Sequence, residues 1–349
     1  MSGPQDLTDP PRSMARIVLL ATGGTISMQS DAGGAAVRGL QASRQLEHVP
    51  SVEGLEVVAE DFSADYTIGF NVTADIMRRL AQAVDDIAAR PDVDGVVVTH
   101  GTDVMEEVAS FVDCTLQTDK PIVFTGAMRH ASMVSADGPR NIHNALLLAA
   151  HPAAAGRGVL VCVNDEIHAA RRVTKTHSTR ASTFASPNGG AVGAVDHGAV
   201  EFYAAAARGR TFRLGSEVPE VSLVWVAAGA ASFLVEAALE RSAGVVLAAT
   251  GIGHVPQWWM PSIRAAVARG VSVVLASRCG AGSTGLGYAG PGGDYDLAQA
   301  GVIFAGYRRP LQARTELMCA LAAGLSQQQI RAHFASDTGL GGAVATMSQ

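Results

Sequence analysis

The chain has 349 residues, 48% of them hydrophobic and 17% charged, with a net charge of −6. This length and composition describe a globular chain with room for two domains and a sizeable core. The acidic balance and the lack of any Lys/Arg run argue against a nucleic-acid partner, and no apolar run approaches the roughly 20 residues that cross a bilayer.

Residues 1–13, MSGPQDLTDPPRS, are polar and proline-rich without the apolar stretch of a secretory signal, so a loose tail and a cytoplasmic location are expected. The cysteines (Cys114, Cys162, Cys279, Cys319) form no CxxC pair and are expected to be buried free thiols rather than metal ligands. Residues 16–21 (RIVLLA) predict the first buried strand, ending in Thr22-Gly23-Gly24-Thr25. Residues 28–39 are small and polar without periodicity, which predicts a mobile loop and candidate lid. A short helix is expected over 41–47, a strand over 55–59, a loop over 61–73 and an amphipathic helix over 74–89.

Residues 94–113, DGVVVTHGTDVMEEVASFVD, join a β-branched strand to a helical pattern through Thr99-His100-Gly101-Thr102-Asp103. Ligands bind beyond such strand ends in α/β sheets. Asp103 followed by Glu106 also fits a helix N-cap with a reaching-back carboxylate, and both readings stand at this point. A strand over 121–124 ends in Thr125-Gly126-Ala127-Met128-Arg129, a helix is expected over 142–150 and a strand over 158–163. The pattern weakens from 164 to 196, around Arg171, Arg172 and Lys175, and residues 201–220 read as a linker. A second unit follows, with strands over 221–226, 244–249 and 271–276 and helices over 233–241, 261–268 and 311–325. The domain plan is a tail (1–13), an N-terminal α/β domain (14–203), a linker (204–220) and a C-terminal α/β domain (221–349).

Gly280-Ala281-Gly282-Ser283-Thr284-Gly285 matches GxGxxG, but loop residues follow where a dinucleotide site needs a helix. No phosphate loop or zinc motif occurs, so neither nucleotide nor metal is expected. The remaining chemistry is that of hydroxyls: three strand ends present Thr22/Thr25, Thr99/Thr102/Asp103 and Thr125/Arg129. A threonine hydroxyl needs a base, which Lys175 can supply or polarise. Asp103 can hold that lysine and a substrate ammonium, and backbone N–H groups of the glycine turns can receive an oxyanion.

ATGGTIS (21–27), VVVTHGTDVMEE (96–107), TGAMR (125–129), SADGPRN (135–141) and VTKT (173–176) occur in the order and spacing of bacterial-type L-asparaginases, which the chain resembles from about residue 16 to its C-terminal helix. The resemblance implies a larger N-terminal domain with a mixed, mostly parallel sheet and a smaller flavodoxin-like C-terminal domain. It implies a homotetramer of intimate dimers, with sites between the N-domain of one chain and the C-domain of its partner. Thr25 matches the primary nucleophile, and Thr102, Asp103 and Lys175 match a second triad, Asp103 also binding the substrate ammonium. Gly24, Gly69, Phe70, Gly101 and Ala127 complete the implied substrate-binding positions. The implied reaction is hydrolysis of a side-chain amide through a covalent acyl-enzyme, without a cofactor.

The chain departs from the family pattern in three places. No tyrosine lies between Ile26 and Asp65. Gly69 stands where a serine usually holds the substrate α-carboxylate, with Phe70 at a common glutamine position. The usual partner-chain asparagine and glutamate are absent from 251–256 and 280–290, where Tyr288 is a candidate phenol donor from the same or a neighbouring chain. Asparagine hydrolysis is therefore the first expectation. Glutamine, a modified asparagine or another amide or lactone is the second, and a non-catalytic small-molecule-binding regulator the third.

Overall fold

In β1 (Ala15–Ala21) every second residue faces a different core: Val18 and Leu20 enter one apolar cluster, Ile17, Leu19 and Ala21 another. A strand without a polar face requires cover on both sides of its sheet. The structure, a computed structural model, describes residues 14–30, 36–38, 41–62, 69–205 and 208–335.

Beyond β1 come β2 (Met28–Ser30), β3 (Ala36–Arg38), α1 (Ala42–Gln45), β4 (Leu55–Asp61) and α2 (Ala74–Ala88). Next are β5 (Gly95–Thr99), α3 (Met105–Thr115), β6 (Ile122–Thr125), α4 (Gly138–Ala150) and β7 (Val159–Val163). Five short strands follow: β8 (Glu166–Ala169), β9 (Thr174–Lys175), β10 (Phe184–Ala185), β11 (Gly193–Asp196) and β12 (Ala199–Phe202). The second unit holds β13 (Val221–Trp225), α5 (Phe233–Arg241), β14 (Gly244–Ala249), α6 (Met260–Ala268), β15 (Ser272–Ser277), α7 (Asp294–Gln299), β16 (Ile303–Phe304), α8 (Pro310–Ala322) and α9 (Gln327–Ala335).

The first sheet has eight strands among the described residues, in the order β12-β11-β8-β7-β6-β5-β1-β4. It is parallel from β4 to β7 and antiparallel from β7 through β12. The second sheet, β13-β14-β15-β16, is parallel throughout. This is the expected α/β architecture of a larger mixed sheet and a smaller parallel one. Helix α3 packs on α8, and one apolar cluster runs from Val108 and Phe111 to Leu317 and Phe334, so the units share a core.

Several sequence expectations change. The 28–39 stretch is not a structureless loop: β2 and β3 pair antiparallel, with Gln29 opposite Val37. The tail at 1–13 and residues 31–35 and 39–40 lie outside the described residues, as do 63–68 of the expected 61–73 loop. Helix α4 begins four residues before the expected start at 142, because Pro139 suits a helix's first turn. Residues 201–202 belong to β12 rather than to a linker. Cys114, Cys162 and Cys319 are buried and free, but Cys279 is exposed, since β15 ends two residues before it.

Candidate functional site

β1, β5 and β6 are parallel neighbours, so their carboxyl ends open along one edge. Hydrogen bonding continues past them. The Thr22 N–H and hydroxyl both donate to the Thr99 carbonyl, at 3.0 and 2.8 Å, and the His100 N–H donates to the Thr125 carbonyl at 2.9 Å. Three loops are thereby held in step.

Glycine then lets them touch. Gly24 has φ +86°, in the left-handed region, and a Cβ on it would stand 2.2 Å from Gly101 Cα. A Cβ on Gly101 would stand 3.3 Å from Gly24 Cα and 3.4 Å from Gly69 Cα. Backbones from three loops meet at this point. Because Gly24 precedes Thr25 and Gly101 precedes Thr102, the contact draws the two threonine-bearing loops together. Thr25 opens a 3-10 turn and is half-buried, while Ile26 enters the core and the Ser27 hydroxyl accepts from the Gln45 amide at 2.8 Å.

Lys175 reaches this cluster from β9. Its Nζ donates to Thr102 Oγ1 and to Asp103 Oδ1, each at 2.9 Å. The lysine side chain is 15% exposed and that of Asp103 61%. The ammonium is thus sheltered, while the carboxylate keeps an open side for a further cation. Behind the lysine, Lys175 pairs with Phe184 of β10, and the Val173 carbonyl accepts from the Gln312 amide of α8 at 2.8 Å. Glu106 of α3 lies buried beside the Thr174 hydroxyl and the Lys175 backbone, and burial pushes its carboxyl above the usual range.

Of the two readings of Asp103, the cap is set aside. Val104 occupies the cap position of α3, without a side-chain cap bond, and Asp103 turns to Lys175. Thr22 and Thr125 also prove structural, since their hydroxyls donate to the Thr99 and Cys162 carbonyls at 2.8 and 2.7 Å.

Sequence reasoning missed three supports. His100 is fully buried, its Nδ1–H donates to the Gly101 carbonyl at 2.7 Å, and burial pushes its pKa down to about 4. A neutral imidazole therefore props the Gly101 turn. The Asp137 carboxylate accepts from the Met128 and Arg129 N–H groups at 3.0 and 2.8 Å. Asn141 donates to the Gly126 carbonyl at 2.9 Å. These last two shape the turn that carries buried Ala127, and the SADGPRN motif was the signal that contained them.

The remaining candidates divide. Gly69 is buried against Gly101, while Phe70 beside it is 65% exposed. Tyr288 is not brought to the threonines within the chain. Its ring packs edge-on against His254, with centroids 4.9 Å apart, and its N–H donates to Asp294. The loop at 280–285 is followed by no helix until α7, and buried Asp294 accepts from the Gly287 and Tyr288 N–H groups at 2.9 and 3.1 Å.

The family profile described as "Asparaginase, N-terminal" matches residues 16–208, and that of the "Glutaminase/Asparaginase C-terminal domain" matches residues 220–334. The L-asparaginase 2 of Bacillus subtilis is 34% identical over 340 residues, covering 93% of this chain and 87% of that protein. A probable L-asparaginase of Deinococcus radiodurans is 36% identical over 329 residues, covering 93% and 98%. The crystal structure of a probable cytoplasmic L-asparaginase from Campylobacter jejuni superposes with a TM-score of 0.81 at 32% identity, covering 92% of this chain and 99% of that one.

Proposed function

The chain belongs to the asparaginase family, and from that premise we propose that it hydrolyses the side-chain amide of L-asparagine to aspartate and ammonia through an acyl-enzyme on Thr25. The observation that carries the reading is the pair of 2.9 Å bonds from Lys175 to Thr102 and Asp103, beside the Gly24–Gly101 contact.

In the first step Thr25 Oγ attacks the amide carbon, and the developing oxyanion is received by backbone N–H groups of the strand-end turns. The Thr25 proton passes to the leaving nitrogen, the C–N bond breaks, and ammonia departs from the ester. In the second step water attacks the ester carbon, the C–O bond to Thr25 breaks, and Thr25 Oγ regains a proton. Thr102 accepts from Lys175 through one lone pair, which leaves its hydroxyl to orient the water. The lysine charge polarises the Thr102 hydroxyl that orients this water. The open side of Asp103 takes the substrate ammonium.

Gly69 favours a second reading, in which the same reaction acts on glutamine, a modified asparagine or another amide. Without a hydroxyl for the α-carboxylate, a charge-assisted hydrogen bond of about 1.5–3 kcal/mol is missing. The same proposal places the protein in the cytoplasm as a dimer of dimers. A phenol from Tyr288 then has to come from a neighbouring copy, and an unchanged kcat in Tyr288→Phe removes it from the site.

The test is ammonia and acid release from asparagine, glutamine, N-substituted analogues and cyclic amides, with Thr25→Ala and Lys175→Met alongside. Asparagine turnover abolished by either substitution supports the first reading, and turnover of an analogue alone supports the second. Saturable binding without turnover would make the protein a binding module. Full activity in Thr25→Ala would falsify the mechanism.

A further inference from the structure

The seam between the two sheets holds a cavity of 410 Å³ whose walls do not include Thr25, Thr102 or Lys175 and are lined in large part by arginine. Its walls come from the turn before β9, the segment around residues 208–210, and the approach to α8. Seven arginines line it against two carboxylates, in a chain whose net charge is −6.

Both carboxylates are already engaged. Asp113 accepts from Arg171, and Glu316 accepts from Arg308 at 2.7 Å and from His333 at 2.8 Å. Two further guanidiniums are already engaged: Arg208 pairs with Asp119, and Arg157 donates to the Ala153 and Ala204 carbonyls at 2.6 and 2.9 Å. Arg172, Arg210 and Arg309 remain without an ion pair to a described residue: Arg309 donates to the Gly280 carbonyl, and the Arg210 guanidinium lies 5.8 Å from the centre of the Phe212 ring, so neither is matched by a carboxylate. Three guanidiniums without a carboxylate in hydrogen-bond reach, around one cavity, repel each other and focus a positive potential into it. The planar guanidinium fork matches carboxylate and phosphoryl oxygens in pairs, and a cavity of this size holds a small organic anion.

We propose that this cavity is a binding site for a small multivalent oxyanion, carrying phosphoryl or several carboxylate groups, held by Arg172, Arg210 and Arg309. The site also has a route to the strand-end cluster. Arg172 lies three residues before Lys175, and Arg309 immediately precedes α8, whose Gln312 holds the Val173 carbonyl. An occupant that ties Arg172 to Arg309 stiffens the segment on which Lys175 sits. The binding claim does not depend on the proposed amide hydrolysis.

Titration calorimetry of the full chain, at an ionic strength fixed with potassium chloride, tests the site with inorganic pyrophosphate and with citrate. The expected result is saturable binding of at least one of them with Kd below about 1 mM. It should weaken at least tenfold in Arg172→Gln/Arg210→Gln. Should that double variant fail to fold, Arg309→Gln alone is read in the same way. Tighter pyrophosphate binding identifies a phosphoryl ligand and tighter citrate binding a polycarboxylate, and either supports the site. Heats no larger than those of added potassium chloride for both probes, or variants that bind as the parent does, overturn it.

Discussion

After β1 and β5, Gly24 and Gly101 meet backbone to backbone, and a Cβ on Gly24 would stand 2.2 Å from Gly101 Cα. After β15, Gly280 and Gly285 have nothing within 4 Å of where a Cβ would stand. Both regions are glycine-rich loops at the carboxyl ends of parallel strands. In the first, glycine is required by close approach, and the approach draws together the loops that carry Thr25 and Thr102. In the second, the loop is fixed from beneath by the buried Asp294 carboxylate, and these two glycines have room to spare. A glycine motif therefore carries chemical meaning only through what the missing Cβ would touch.

Substitutions break or sharpen this contrast. Gly24→Ala has the largest expected effect, because it adds both backbone strain and overlap with Gly101: about 4 kcal/mol of stability and at least a ~100-fold loss in kcat/KM. Denaturant unfolding and steady-state rates measure these, and near-parental rates would show that the close approach does not build the site. Next is acid sensitivity in the same cluster. His100 has a folded pKa of about 4, against an ordinary value near 6.5. Between those values the unfolded chain binds a proton that the folded chain refuses, so stability falls as pH drops through that window, by about 3 kcal/mol. Glu106, raised by burial, acts in the opposite direction and gains as pH falls. Unfolding of His100→Gln at pH 7 and pH 4 should show a smaller difference than the parent.

In the second region, Asp294→Ala removes the acceptor of two loop N–H groups and should cost about 1–3 kcal/mol in urea unfolding. The smallest effect belongs to Gly280→Ala, expected to keep kcat/KM within about twofold, with stability unchanged or slightly raised. A large loss there would erase the distinction between the two regions.

Legibility in the sequence followed the range of the interactions. β14 and α5 were readable because an apolar run and helical spacing define them locally, and their bounds fall within a residue of expectation. β8 to β12 were not, since two- to four-residue strands exist only through distant partners: Gly193 pairs with both Ile167 and Phe202. α7 and α9 were missed for a related reason. Asp294 anchors a loop and Phe334 fills a shared core, and neither fact shows in helical periodicity. At the site, motifs brought out Thr25, Thr102 and Lys175. Asp103 was ambiguous because its capping signal is local, whereas Lys175 lies 72 residues away. His100 lay in plain view within HGTD, but its burial depends on the packing of β5 against β6.

The hydrogen bond from Gln312 to the Val173 carbonyl has a consequence for the order of events during synthesis. A ribosome that has released the first 200 residues has already made Thr25, Thr102, Asp103 and Lys175. The segment that seats the lysine still lacks its clamp, because α8 is translated more than a hundred residues later. N-terminal domains fold first on the ribosome. The nascent chain thus passes through a long interval in which these four residues are present but Lys175 is not yet braced, and α8 ends it.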